Sequence, residues 1–176
     1  EGYSWGFTLT LKLEFIEGGP PMDALSAKNI YEGYYTYGAA STATNYIENK
    51  LIPKTLSFTA PTSKVFMKNL VSGHGSDATG CGEFCKKYYR LKVDNNVVSQ
   101  KDLWRANCGI NHIYPQTGTW VYDRANWCPG DVVWPIYHNL SDLTSASNNF
   151  TVDVDMQAYT VSNPTGGFSW ASQFIQ

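Results

Sequence analysis

The hydrophobic pattern along the chain is that of strands. Trp5, Phe7, Leu9, Leu11, Leu13 and Phe15 fall on one face of residues 5–15, and Gly6, Thr8, Thr10, Lys12 and Glu14 on the other. A period of two predicts a long half-buried strand. Gly18-Gly19-Pro20-Pro21 then breaks the chain. That break is read as a boundary, with residues 1–19 as the last strand and linker of a preceding, absent domain and 20–176 as one domain. From 22 to 50 the pattern weakens into an irregular connection with room for one strand, its tyrosines clustered near Gly33 and Gly38. Residues 51–59 and 64–71 read as strands, and 72–80, rich in Gly, Ser and Asp, as loop. Lys87–Val93 alternates, and Asp94-Asn95-Asn96 reads as a hairpin turn before Val97 and Val98. Residues 105–130 are mostly loop, a length that points to function in a compact domain. Val132–Tyr137 contains Pro135 and is read as an edge strand. Phe150, Val152, Val154 and Met156 alternate with Thr151, Asp153 and Asp155, in a strand continuing through Tyr159 and Val161. Phe168–Ile175 is the last strand. No helical periodicity and no internal repeat appears. Many short strands with Gly/Pro breaks predict an all-β fold, an antiparallel jelly-roll β-sandwich.

Composition narrows the partners. At 176 residues the chain is one domain's worth of sequence, with 15% aromatic and 16% charged residues. Such a surface suits sugar or protein contacts. The net charge is -2 and there is no run of Lys or Arg, so no nucleic-acid or anionic-membrane footprint is seen. No apolar run approaches the roughly 18 residues of a membrane span. The chain begins at Glu1, which reads as a mature or truncated piece from which any targeting segment is gone.

All four cysteines lie between Gly73 and Gly130. Four cysteines allow three pairings, and Cys81–Cys85 with Cys108–Cys128 is preferred. Zinc-type C-x2-C knuckles are missing, and His74, His112 and His138 form no metal pattern, so no cofactor is implied. Disulfides point to an oxidising, secreted setting. Asn139-Leu140-Ser141 and Asn149-Phe150-Thr151 are glycosylation acceptors by sequence.

Glu83, in Cys81-Gly82-Glu83-Phe84-Cys85, is the first candidate for chemistry. At a cleft edge it would serve as a general acid or as a base orienting water. The structural alternative is an exposed turn carboxylate. Arg124 offers a planar fork for a carboxylate or sugar hydroxyls, or else an Asp123–Arg124 pair pins the loop. Trp120, Trp127 and Phe84 would stack on sugar or fill the core. His74, between two glycines, and Asp77 lie in the same loop and complete the candidate cleft. Glu83 and Arg124 are expected to face each other across a groove wide enough for saccharide. No Gly-x-Ser-x-Gly elbow and no phosphate-cradling glycine spacing is present.

These residues resemble the C-terminal half of the bacterial peptide-N-glycosidase F family. The likeness rests on Ser72-Gly73-x-Gly75, Gly80-Cys81-x-Glu83-aromatic-Cys85 and Asp123-Arg124-Ala125-x-Trp127-Cys128-Pro129-Gly130. Strand 5–15 is similar to the last strand of the family's N-terminal domain. The resemblance implies two jelly rolls packed side by side and hydrolysis of the amide between asparagine and the first N-acetylglucosamine of an N-glycan. It implies a site between the two domains, with Glu83 and Arg124 as C-domain catalytic-site residues and the same two disulfides. Phe84 and His74 stand where the family pattern has Trp. The primary acid belongs to the N-terminal domain, for which this chain has no room. Activity therefore requires a companion jelly roll, in cis or in trans. The alternatives are a non-catalytic extracellular module for carbohydrate binding or protein assembly and, by fold analogy alone, a copper-dependent monooxygenase-like domain.

Overall fold

A computed structural model describes residues 10–19, 22–37, 46–57, 62–75, 82–145, 149–158 and 166–176. Eight strands follow in order: β1 (Ala27–Thr36), β2 (Lys54–Ser57), β3 (Phe66–His74), β4 (Lys87–Val93), β5 (Asn96–Leu103), β6 (Ile136–Asn139), β7 (Asn149–Met156) and β8 (Gly167–Ile175). One helical turn, α1 (Ile47–Lys50), lies between β1 and β2. The strands form two four-stranded sheets, β1-β8-β3-β6 and β2-β7-β4-β5. Every pairing is antiparallel. The β4–β5 hairpin stays within one sheet, and each other connection between these strands crosses to the opposite sheet. That winding is a jelly roll.

The alternation read from the sequence becomes the core. Phe150, Val152, Val154 and Met156 of β7 face Phe168, Trp170 and Phe174 of β8 within one buried cluster, joined by Tyr89, Leu91, Met67 and Val71. Each such side chain contributes about 1.5–3 kcal/mol on full burial. The β4–β5 turn is the two residues Asp94 and Asn95, since Val93 pairs with Asn96. Their φ angles, 47° and 66°, are those of a type I′ turn, which matches the strand twist.

A buried polar chain crosses this core. The Trp170 indole donates to the Ser172 hydroxyl at 2.7 Å, and Ser172 donates to Oδ1 of Asn69, its partner across β3 and β8, at 2.6 Å. Asn69 Nδ2 donates to the Tyr89 hydroxyl at 3.1 Å, which lies 2.6 Å from His138 Nε2.

Several expectations shift. Residues 10–15 form no strand, and Leu11, Leu13, Phe15 and Ile16 are exposed. Alternation specifies a chain that wants a sheet, but none of the described strands pairs with it; residues 1–9 lie outside the described residues. The connection at 22–50 holds a full ten-residue strand, β1, plus α1. Its alternation is masked because Tyr serves both buried and exposed positions. Residues 72–74 belong to β3, not to a loop, because β8 pairs with them through His74. The strand expected at 132–137 begins after Pro135, as β6, and is a sheet edge. The expected continuation through Tyr159 and Val161 lies outside the described residues.

Candidate functional site

The site is built on an open strand edge. β6 pairs with β3 only across Phe66–Asn69. Beyond Asn69 the free edge of β3 is taken by residues 124–127. Gly73 donates its amide to the Ala125 carbonyl at 2.9 Å. Asn126 Nδ2 donates to the Val71 carbonyl and Trp127 Nε1 to the Gly73 carbonyl, both at 2.7 Å. On the far side Ala125 N–H reaches the Glu83 carbonyl at 2.8 Å. Arg105 and Arg124 exchange backbone bonds of 2.8 and 3.1 Å. Asn126 sits at φ 66°, a left-handed kink that Asn tolerates. The Cys108–Cys128 disulfide closes the loop one residue past Trp127, and Arg105 pairs with Asp131 at 2.7 Å beyond it. A single segment is thus pinned from both sides, with Arg124 at its start.

The Arg124 side chain is 4% exposed. Its Nη1 bonds the Glu83 carboxylate, and its Nη2 donates to the carbonyl and, at 2.9 Å, to the hydroxyl of Thr119. Its guanidinium carbon lies 4.8 Å from the Phe84 ring centroid and 5.0 Å from that of Trp127. The cation is therefore clasped between two aromatic rings and bonded to an acid, an arrangement that strengthens each contact as water is excluded. Burial pulls the Arg124 pKa below its ordinary value, yet a guanidinium stays charged at neutral pH. Beside it, His74 stacks at 4.9 Å on Trp127 and has Nε2 2.7 Å from the Ser72 hydroxyl. Burial, then the Arg124 charge, lowers the His74 pKa, so its ring is neutral at pH 7.

The sequence profile described as peptide-N-glycosidase F, C terminal, matches residues 42–172. The chain belongs to the peptide-N-glycosidase F C-terminal family. The amidase F of Elizabethkingia miricola, described as a peptide-N(4)-(N-acetyl-beta-D-glucosaminyl)asparagine amidase, is 26% identical over 132 residues. That match covers 70% of this chain and 37% of the relative, so the chain spans little more than a third of it. The structure of the glycosylasparaginase PNGase F from Flavobacterium meningosepticum superposes with a TM-score of 0.72 at 24% identity, over 85% of this chain and 50% of that one. A structure of PNGF-II gives 0.65 at 16% identity, over 89% and 31%.

Within this peptide-N-glycosidase F fold the predicted residues divide. Glu83, Phe84, His74, Arg124 and Trp127 come together. Glu83 and Arg124 are in direct contact, with no saccharide-width groove between them; the Arg124 partner is Glu83, not the adjacent Asp123. The expected groove closes because the 124–127 segment and the Glu83 turn bond each other through their backbones. Trp120 is buried 5.7 Å from Tyr114, and it is its neighbour Thr119 that touches Arg124. Asp77 and Cys81 lie outside the described residues, and with them the Cys81–Cys85 bridge. Asn139 and Asn149 are both exposed. The sequence reading missed Ser72, Thr119 and Tyr122, the last 6.3 Å from Phe84. Ser72 was reachable, since residues two apart on a strand share a face. Thr119 and Tyr122 lie in irregular loop and carry no periodic signal.

Proposed function

We propose that this chain is the C-terminal half of a secreted N-glycan amidase, acting on the bond between asparagine and the first N-acetylglucosamine. The observation that carries this reading is the Glu83–Arg124 pair, held between Phe84 and Trp127 in the family's motifs. A buried ion pair is weak support for stability alone; pairs so arranged are common at functional sites. In the proposed reaction, water adds to the side-chain amide carbon and the C–N bond breaks. Aspartate and a glycosylamine leave. Glu83, held as a carboxylate by Arg124, accepts a hydrogen bond from the glycosyl amide N–H and so orients it, and the proton that the departing nitrogen takes up comes from the attacking water. His74, neutral, and Asp77 contribute hydrogen bonds to the sugar, while Phe84 and Trp127 shape the aromatic lip. Trp120 supports the loop from below. The activating acid comes from a companion jelly roll, for which residues 1–19 supply the last strand and linker. The Cys108–Cys128 bridge supports an oxidising, extracellular setting, where Cys81–Cys85 would form and Asn139 and Asn149 would be accessible.

The test is the parent protein, carrying its N-terminal half, assayed on an N-glycopeptide. Glu83→Gln should lower kcat by about 10²-fold or more, the usual worth of a positioned acid or base. Full activity in Glu83→Gln defeats the assignment.

A second reading is a carbohydrate-binding module without turnover. It is favoured by the exposed Tyr122, 6.3 Å from Phe84, and the exposed Tyr114, against Trp120 in the same loop. Saturable binding of a chitobiosyl-asparagine peptide to this chain, with no turnover by the parent, would select it.

A further inference from the structure

The turn that holds Arg124 also carries apolar side chains into solvent. The Tyr122 amide donates to the Thr119 carbonyl at 3.0 Å and closes residues 119–122. The same Thr119 presents its carbonyl and its hydroxyl to Arg124. Within this turn Trp120 is buried, but Val121 is 45% and Tyr122 58% exposed. Gly109 backs onto them: a Cβ placed on it would lie 3.9 Å from the Cβ of Val121. Ile110, the next residue, is 81% exposed. We propose that Ile110, Val121 and Tyr122 bind the polypeptide flanking the glycosylated asparagine and select apolar residues beside it, an inference that rests on the amidase reading above.

None of the three belongs to the buried cluster between the sheets, so filling the interior does not account for them. Turn positions of this kind ordinarily carry Gly, Asn, Asp or Ser. The Cys108–Cys128 bridge ties the loop without their help. Apolar side chains grouped on a surface in this way mark a face that another molecule covers. The patch is continuous with the site. Tyr122 meets Phe84 edge to face at 6.3 Å, and Phe84 lies 4.8 Å from the guanidinium that bonds Glu83. A chain attached to the group at Glu83 has only the Phe84 ring to pass before it reaches Tyr122.

The two sides of Arg124 differ in chemistry. Trp127, on one side, leads to the His74 ring and the Ser72 hydroxyl bonded to it. Phe84, on the other, leads to the apolar patch. The substrate of the proposed reaction has the same asymmetry, with a glycan rich in hydroxyls on one side of the amide bond and a polypeptide on the other. Valine and isoleucine side chains hold neither donor nor acceptor for a sugar hydroxyl. The polypeptide is the half that can bring apolar side chains to them, and their burial against it favours binding.

The test uses the parent protein, carrying its N-terminal half, and two fluorescent peptides with the same N-glycan on asparagine. One has leucine on both sides of that asparagine and the other serine. The leucine peptide should bind about tenfold more tightly, as partial burial of one such side chain gives. Tyr122→Ser and Val121→Ser, both at exposed positions, should each bring the ratio of the two Kd values towards one. Val97→Ser, exposed on β5 of the sheet opposite β3, should keep the parent ratio. Equal binding of the two peptides by the parent overturns the proposal. So does a loss of affinity for both peptides by the same factor in Tyr122→Ser and Val121→Ser, which would put the glycan or the companion jelly roll on the patch. Turnover is read separately. Selective binding without hydrolysis defeats the amidase reading and leaves the peptide site standing, and hydrolysis of both peptides with equal affinity does the reverse.

Discussion

Gly73 donates its amide to the Ala125 carbonyl at 2.9 Å, and a Cβ placed on Gly73 would lie 2.6 Å from the Ala125 Cβ. The loop that bears Arg124 can therefore dock on β3 only where the strand has no side chain. Gly73→Ala should push residues 124–127 off the edge and destabilise the fold by about 1–3 kcal/mol, the usual cost of overpacking. Urea unfolding measures this. A midpoint equal to that of the parent chain would show that the contact relaxes freely.

Removing one partner of the Glu83–Arg124 pair leaves the other charge half-buried. Arg124→Ala should cost about 3 kcal/mol, at the low end of the range for broken buried pairs because Glu83 keeps some solvent contact. Arg124→Lys should recover little of that. A lysine ammonium cannot serve Glu83 and Thr119 at once or lie flat between Phe84 and Trp127. Denaturant titration of the two variants separates loss of charge from loss of the planar fork.

The Cys108–Cys128 bridge spans a sequence separation of 20. On the chain-entropy account its closure is worth about 3 kcal/mol. The Cys108→Ser/Cys128→Ser double variant should lose that stability in urea. It should also broaden the amide resonances of residues 109–127 more than those of β7 and β8, because the bridge anchors the loop and the sheets stand without it.

His138 makes stability fall in mild acid. Its folded pKa of about 4 lies below the ordinary 6.5. Between those values the unfolded chain takes up a proton that the folded chain refuses, so stability is intact above 6.5, declines as pH drops towards 4, and is then lost for this group. The full effect is on the order of 3 kcal/mol. Glu48 and Asp153, whose pKa values burial raises, act with the opposite sign. The measurement is therefore the difference between the parent chain and His138→Gln across pH 4 to 7. A difference that does not change with pH would show that His138 titrates alike in the folded and unfolded chain.

The strands of the second half were legible because their period is unbroken. Lys87–Val93 appears with the bounds expected, and the alternation at 150–156 fills the core as read. β1 was obscured because Tyr31 and Tyr35 are buried while Tyr34 is exposed, so residue type did not report the face. Residues 10–15 show the opposite failure. Their alternation is strong, yet no described sheet receives them. Among the site residues, Glu83 and Arg124 stood out by their cysteine-framed motifs, while Thr119 acts through a carbonyl and a hydroxyl that no motif marks.

By itself the sequence determined the sandwich, the loop tied by Cys108 and Cys128, and the family, because periodicity and motif spacing are local properties of the chain. Only the tertiary structure decided that Glu83 and Arg124 touch, that Trp120 turns inward, and that His138 ends a one-way hydrogen-bond chain. Those facts depend on which strand edge a loop finds free and on which side chains meet across two sheets, and no run of neighbouring residues encodes either.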